Sequence, residues 1–251
     1  MSDINISNLN LVDYSNNKLT ELPTLPSSLE NLYCSYNQLT ELFLLLPSSL
    51  KKIFCSHNKL TKLPTLPSSL EILYCENNQL TELPSLPSSL KYLYCSNNKL
   101  TELPTLSSSL ENLYCESNQL TELPTLPSSL KILYCSNNKL TELPTLPSSL
   151  ESLYCSNNQL TELPTLHSSL KNLSCGNNNN FKYPFVVTIE NINIFNKFKE
   201  TFYKLKYSNR IERIFMRYRI SKFKEELIQA VFHPRRMIRY LELYDFDINE
   251  L

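Results

Sequence analysis

A 20-residue segment recurs along most of this 251-residue chain. Its spacing, L-x-x-L-x-C-x-x-N-x-L, begins at Leu29, Leu50, Leu70, Leu90, Leu110, Leu130, Leu150 and Leu170. An imperfect copy starts at Leu9, with Val12 and Tyr14 in the fourth and sixth places. That makes nine units, one of them 21 residues long because ELFLLLPSSL replaces ELPTLPSSL over 41–50. A unit this short cannot bury its own apolar side, but stacked units can, so the period predicts a solenoid.

The register assigns faces. Positions four and six alternate as one face of a short strand requires, so Leu32/Cys34, Ile53/Cys55, Leu73/Cys75 and their equivalents through Leu173/Cys175 are expected to point inward. Fixed-period stacking pairs such strands in parallel, roughly 4.8 Å apart. Leu39, Leu60, Leu80, Leu100, Leu120, Leu140 and Leu160 plug the core where the chain turns, each worth roughly 1.5–3 kcal/mol when fully buried. The return stretch, ELPTLPSSL, is too short and too Pro-rich for an α-helix. It is expected to run extended or polyproline-like, with a turn at Pro-Ser-Ser. The predicted fold class is an α/β solenoid: a parallel sheet on the concave face, extended return segments, and a small helical C-terminal region.

Position nine is Asn in every unit: Asn17, Asn37, Asn58, Asn78, Asn98, Asn118, Asn138, Asn158 and Asn178. A simple turn residue would drift to Asp, Ser or Gly. A side chain with both donor and acceptor serves adjacent turning backbones, which predicts a buried asparagine ladder with a structural role.

All eight cysteines fall at position six, from Cys34 to Cys175. Free Cys is a small hydrophobe and is commonly buried, which is the favoured reading here. Neighbouring strands lie close enough for disulfides, but bridging would pull a regular ladder into pairs that nothing in the spacing marks. Metal binding needs ligands that converge, and one Cys per strand in file does not. Inward thiols without CxxC spacing point to a reducing, intracellular compartment.

Position five points outward and reads Tyr33, Phe54, Tyr74, Tyr94, Tyr114, Tyr134 and Tyr154, then stops at Ser174; Asp13 holds the place in the first unit. The flanking outward positions are small or polar, among them Ser35, Ser56, His57, Glu76, Ser96 and Glu116. Two interpretations stand side by side. Aromatic cross-strand neighbours stabilise a sheet, and a strip of tyrosines beside Ser and Asn has the chemistry of a protein-binding surface. The second makes Tyr33, Phe54, Tyr74, Tyr94, Tyr114, Tyr134 and Tyr154, with His57, Glu76 and Glu116, the candidate concave binding face.

Charge adds a longer period. Position two alternates Glu30, Lys51, Glu71, Lys91, Glu111, Lys131, Glu151, Lys171, and position ten alternates Gln and Lys. Opposite signs then stack, with small favourable terms expected. Position thirteen is an acidic column, Glu21, Glu41, Glu82, Glu102, Glu122, Glu142 and Glu162, broken by Lys62 and expected to be a solvated edge.

The composition changes near Phe181. Residues 1–180 carry 10 Lys/Arg and 15 Asp/Glu; residues 181–251 carry 14 and 9. The domain reading is a lead-in over 1–8, nine units over 9–180, and a capping strand with a basic helical region over 181–251. Phe185 to Ile189 is the expected closing strand, because an open solenoid edge needs cover. Helical patterns follow, one running from Ser221 to Phe232 and one opening at Pro234. Arg210, Arg213, Arg217, Arg219, Lys222 and Lys224 form one basic cluster, and Arg235, Arg236 and Arg239 another. No zinc spacing or aromatic RNA-binding pattern accompanies them, so a solvated basic surface is the favoured reading, with RNA, DNA or an acidic protein as the alternative partner of the basic tail.

A single glycine excludes phosphate-cradling loops, and no 18-residue apolar run marks a membrane span. The N-terminus lacks the basic and apolar regions of a signal peptide. His57, His167 and His233 join no nucleophile–base or metal arrangement. The expectation is a non-enzyme with no cofactor and no metal, monomeric, with a protein as partner.

Units such as LYCSNNKLTELPTLPSSL at 133–150 resemble the short class of leucine-rich repeats found in bacterial effectors and in large DNA viruses of amoebae. The strand cysteine and the tail FHPRRMIRYLELYDFDINEL most resemble the viral proteins, which implies a host-cytoplasmic location. The repeat resemblance covers 9–180 and the tail resemblance about 232–251. It implies a parallel solenoid and protein recognition. Some related effectors append a ubiquitin-ligase domain with a catalytic cysteine outside the repeats, and no cysteine follows Cys175 here. Two alternatives to a simple binding module remain: an adaptor or inactive ligase relative recruiting a client through the repeats, and a structural protein assembling through solenoid ends.

Overall fold

The computed structural model of the protein describes residues 10–42 and 46–178. Nine three-residue strands run in chain order through one sheet: β1 (Leu11–Asp13), β2 (Asn31–Tyr33), β3 (Lys52–Phe54), β4 (Ile72–Tyr74), β5 (Tyr92–Tyr94), β6 (Asn112–Tyr114), β7 (Ile132–Tyr134), β8 (Ser152–Tyr154) and β9 (Asn172–Ser174). Each pairs in parallel with the next, and position faces like position: Leu32 opposite Ile53, Leu73 opposite Leu93, Tyr74 opposite Tyr94. The 21-residue unit keeps this register, since Tyr33 still opposes Phe54.

The middle residue of each strand is the inward one. Leu32, Ile53, Leu73, Leu93, Leu113, Leu133 and Leu153 are fully buried, as are the sixth-position thiols from Cys34 to Cys155 and the turn leucines Leu39 to Leu160. Leu173, on the last strand, is half-exposed. Positions fourteen and seventeen add a second apolar layer from the return segments, with Leu103, Leu106, Leu123 and Leu126 buried.

Among the described residues the return segments carry no helix. Each closes with a turn in which the leucine amide donates to the proline carbonyl three residues earlier, as Leu70 does to Pro67 and Leu130 to Pro127 at 3.1 Å. Ser107 and His167 hold the proline place in two units, and the same bond forms there from Leu110 and Leu170. Proline supplies the turn's φ but not its hydrogen bond, which uses the carbonyl, so other residues substitute. The second serine of the turn ties one unit to the one before. Ser69 Oγ donates to Leu50 O at 2.6 Å, Ser89 to Leu70 O at 2.6 Å and Ser129 to Leu110 O at 2.6 Å.

The asparagines form the corresponding ladder on the other side of the strand. Asn98 Nδ2 donates to Cys75 O and to Cys95 O, both at 3.0 Å, while Leu80 N donates to Asn98 Oδ1 at 3.0 Å. The pattern repeats from Asn37 to Asn178. It fails in the first unit, where Asn17 is exposed and its amide donates instead to Ser15 O.

A constraint outside the periodic apolar pattern lies at position eight. Asn16, Tyr36, His57, Asn77, Asn97, Ser117, Asn137, Asn157 and Asn177 all have φ between 54° and 61°. The chain leaves each strand through a left-handed residue, where Asn is tolerated far better than Tyr, His or Ser.

The expected lead-in over 1–8, residues Phe43 to Leu45 of the 21-residue unit, the capping strand at Phe185 to Ile189 and the basic helices all lie outside the described residues. Among the described residues no helix is long and apolar enough to cross a membrane.

Candidate functional site

Parallel, in-register pairing sets position-five side chains about 4.8 Å apart. Aromatic rings stack at nearly that spacing, so each ring copies the orientation of the last. Tyr33, Phe54, Tyr74, Tyr94, Tyr114, Tyr134 and Tyr154 form one pile across β2 to β8. Ring centroids are separated by 4.6, 4.8, 4.0, 4.4, 4.5 and 4.2 Å along it, with interplanar angles of at most 21°. All seven rings are half-buried. Interior ring faces are occupied by neighbouring rings, so the face presents ring edges and phenol hydroxyls. Burial, reinforced by adjacent phenols, raises the hydroxyl pKa of Tyr74 and Tyr114 and pushes Tyr134 up to about 12. These hydroxyls stay neutral donors at physiological pH.

The pile ends at Ser174, whose hydroxyl shares a 2.8 Å hydrogen bond with Ser156. At the other end Asp13 accepts from Ser15 N at 2.9 Å, and that backbone bond, with the Ser15 hydroxyl, holds its carboxyl below the usual value. A shorter stack runs beside the first at position eight, where Tyr36 and His57 lie 4.2 Å apart. Asn77 Nδ2 sits 3.3 Å from His57 Nε2.

Position seven differs from expectation. Ser56 and Ser96, anticipated as outward, are buried. Each is followed on the next unit by a glutamate that folds over it. Ser56 Oγ donates to Glu76 Oε2 at 3.1 Å. Ser96 and Glu116 occupy the equivalent places; both oxygens are buried and lie just outside strict hydrogen-bond geometry, with the Ser96 hydroxyl still close enough to act on the carboxylate. Burial pushes both carboxyls up. The Ser56 hydrogen bond and the nearby His57 oppose this at Glu76; at Glu116 its own backbone amide and the Ser96 hydroxyl oppose it.

Position three shares the outward face with position five, as strand alternation implies. It brings Lys52, Ile72, Tyr92, Asn112 and Ile132 alongside the ring pile, all half-buried. The face over β4 to β7 is therefore an aromatic ridge flanked on one side by Ile72, Tyr92, Asn112 and Ile132 and on the other by two carboxylates.

The cysteines take no part in this surface. All eight are free and buried. Desolvation pushes the thiols up, to about 12 for Cys34 and Cys175 and further for those between. A protonated thiol donates weakly to the next strand, as Cys55 Sγ does to Tyr74 O at 3.2 Å. No group of three or more His, Cys, Asp or Glu among the described residues is placed to hold a metal. The acidic column from Glu21 to Glu142 is exposed throughout. His167 lies away from the sheet, its ring 3.1 Å from Leu146 O.

Position-two charges pair two by two. Lys51, Lys91, Lys131 and Lys171 reach Glu30, Glu71, Glu111 and Glu151 at 3.0, 3.0, 2.7 and 2.7 Å. Lys59, Lys99 and Lys139 donate to Gln38, Gln79 and Gln119 in the same pairs of units.

Comparison with known proteins gives the same architecture. A family profile described as Leucine Rich repeats (2 copies) matches residues 48–88, 68–108, 88–128 and 128–166. Among solved structures, YopM from Yersinia enterocolitica WA-314 is 44% identical with a TM-score of 0.63, over 64% of this chain and 36% of that one. YopM from Yersinia pestis, a leucine-rich effector protein, is 44% identical with a TM-score of 0.64, over 66% and 48%. A Shigella effector LRR domain is 37% identical with a TM-score of 0.55, over 62% and 72%. The chain thus spans between 36% and 48% of the length of the two YopM structures. No curated protein sequence matches it.

Proposed function

The chain belongs to the leucine-rich-repeat family, and from that premise we propose that it is a non-enzymatic protein-binding module whose partner docks on the tyrosine face of the sheet. The observation that carries this is the ring pile from Tyr33 to Tyr154. A solenoid needs only its inward positions to be apolar, and the outward positions are free to be polar. Seven aromatic residues in file on the outward side build a rigid ridge, with edges and hydroxyls available to apolar contact and hydrogen bonding.

The module is monomeric, takes no cofactor, and works in a reducing compartment, the host cytoplasm of a virus-infected amoeba. Support for the compartment comes from eight free thiols in a column, and for the origin from the strand cysteine and the tail motif. A second reading is favoured by the excess of basic residues over 181–251, 14 against 9 acidic. In it the repeats select a client and the C-terminal region binds other machinery, as an adaptor.

The test is affinity capture from the native source with the full chain and with a Tyr74→Ser/Tyr94→Ser/Tyr114→Ser variant, alongside a matching Tyr→Phe variant that keeps the pile. Loss of a partner from the serine variant, with folding retained by circular dichroism, supports the face. Retention of every partner overturns it.

A further inference from the structure

Resting on the tyrosine face as the binding surface, we infer that the protein partner seats one arginine on Asp13, where its guanidinium adds one more layer to the ring pile. The pile has a free end there. Tyr33 stacks on Phe54 with one face. On its other side the position-five residue of the first unit is Asp13, paired with Tyr33 in register. Aspartate is much shorter than tyrosine, so its carboxylate reaches only the base of the ring's outer face.

Asp13 is exposed, and its Oδ1 accepts from Ser15 N at 2.9 Å within its own turn. A carboxylate has about four acceptor positions, and among the described residues no lysine or arginine reaches this one. The position-two glutamates, by contrast, each hold a lysine within 3.0 Å. A second, independent observation places partner contact at this end. The exposed large apolar side chains among the described residues are Leu11, 52% exposed on β1, and Tyr36, 55% exposed just past β2. Exposed apolar surface gathered in one place and rimmed by polar groups marks an interaction site. Tyr36 is itself stacked on one side only, against His57. The opposite end of the pile carries no charge, and Ser174 there is already hydrogen-bonded to Ser156.

An electron-rich ring face beside a carboxylate selects a cation. Guanidinium meets both groups at once. Asp13 stands in the place of the next ring, one strand spacing or about 4.8 Å beyond Tyr33. A guanidinium lying parallel to Tyr33 therefore lies above the carboxylate, with its two-donor edge pointing down at it. Stacking and the bidentate ion pair use the same orientation. An ammonium supplies the charge but neither the fork nor the flat contact. The rings from Phe54 to Tyr134 cannot take the same layer, since both their faces are covered.

The experiment is an NMR titration of the full chain, carrying ring-labelled tyrosine, with acetyl-Ala-Arg-Ala-amide. The same peptide with lysine, or with citrulline as the uncharged planar analogue, replaces it in parallel runs. A saturable shift at Tyr33 is expected with arginine, with weaker binding by lysine and by citrulline. Asp13→Asn is expected to weaken the arginine peptide about three- to tenfold, while Glu21→Gln, in the exposed acidic column, leaves it unchanged. Absence of a saturable shift at Tyr33, citrulline binding as tight as arginine, or equal binding by the Asp13→Asn variant overturns the inference. If the Asp13→Asn chain still captures every partner that the tyrosine-to-serine variant loses, the arginine layer falls and the face stands. If the serine variant loses nothing, the face itself falls.

Discussion

Asn118 donates from its side-chain amide to the carbonyl oxygen of Cys95, 23 residues earlier, at 3.1 Å. The same amide reaches Cys115 O at 3.1 Å, and Asn118 Oδ1 accepts from Leu100 N at 3.0 Å. One side chain thus closes its own turn and fastens it to the preceding unit. Asn118→Ala leaves two carbonyls and an amide short of partners in a buried turn, and should cost about 2–4 kcal/mol. Asn118→Asp should be no better, since a carboxylate cannot donate to either carbonyl. Urea unfolding of both variants is the check, and an aspartate variant as stable as the parent would refute the ladder's donor role.

Buried thiols held above the usual range react slowly. In the folded protein a thiol reagent should label Cys34 and Cys175, at the ends of the file, before the six between. After unfolding without reductant, all eight cysteines should titrate. Four or fewer would mean disulfides.

Ser117 holds φ at 56° in a position where Asn stands in several other units. Ser117→Asn should stabilise by about 0.5–1 kcal/mol, through relief of left-handed strain. Thermal melting measures it, and an unchanged or lowered midpoint would show that position eight is selected for something other than backbone conformation.

Tyr94 lies 4.0 Å from Tyr74 and 4.4 Å from Tyr114. Tyr94→Phe keeps the pile and should change stability by less than about 0.5 kcal/mol, whereas Tyr94→Ser opens a gap in it and should cost about 1–2 kcal/mol. Equal effects of the two changes, measured by denaturant titration, would mean that stacking contributes little.

Glu76 and Glu116 are raised by burial. An acid raised on folding binds protons more readily in the folded state, so stability falls as pH climbs from the unfolded to the folded pKa. Acidification from neutral towards about pH 5 should therefore raise the melting temperature. Asp13, held down by Ser15, and Glu151, held down by its hydrogen bond to Lys171, act oppositely, and their contribution is lost as pH falls further through their lowered values. Glu76→Gln/Glu116→Gln should abolish the early rise. If the parent and this variant show the same profile, the two carboxylates are not the source.

Much of the architecture is legible in the chain because period and burial are coupled. A leucine at position four and a thiol at position six leave one inward arrangement, and an asparagine every turn has one buried task. The serine ladder from Ser69 to Ser129 was less visible, since serine also suits a turn for local reasons and its reach to Leu50 O depends on the unit before. The left-handed residue at position eight was masked by variety, because Tyr36, His57 and Ser117 stand among the asparagines. The glutamates were visible as charges on a face, but their burial over Ser56 and Ser96 was not.

The repeat alone dictated that strands would stack in parallel, which residues would fill the interior, and that tyrosines would align on the outer side. These follow from a length of chain too short to bury itself and from the two-residue alternation of a strand. Three-dimensional packing settled what that alignment amounts to. Ring separations of 4.0–4.8 Å make the tyrosines one continuous pile with covered faces, and stacking of the units buries Ser56 and Ser96 beneath the glutamates of the following unit. Such details depend on distances between side chains that lie twenty residues apart in the chain and meet only once the turns are stacked.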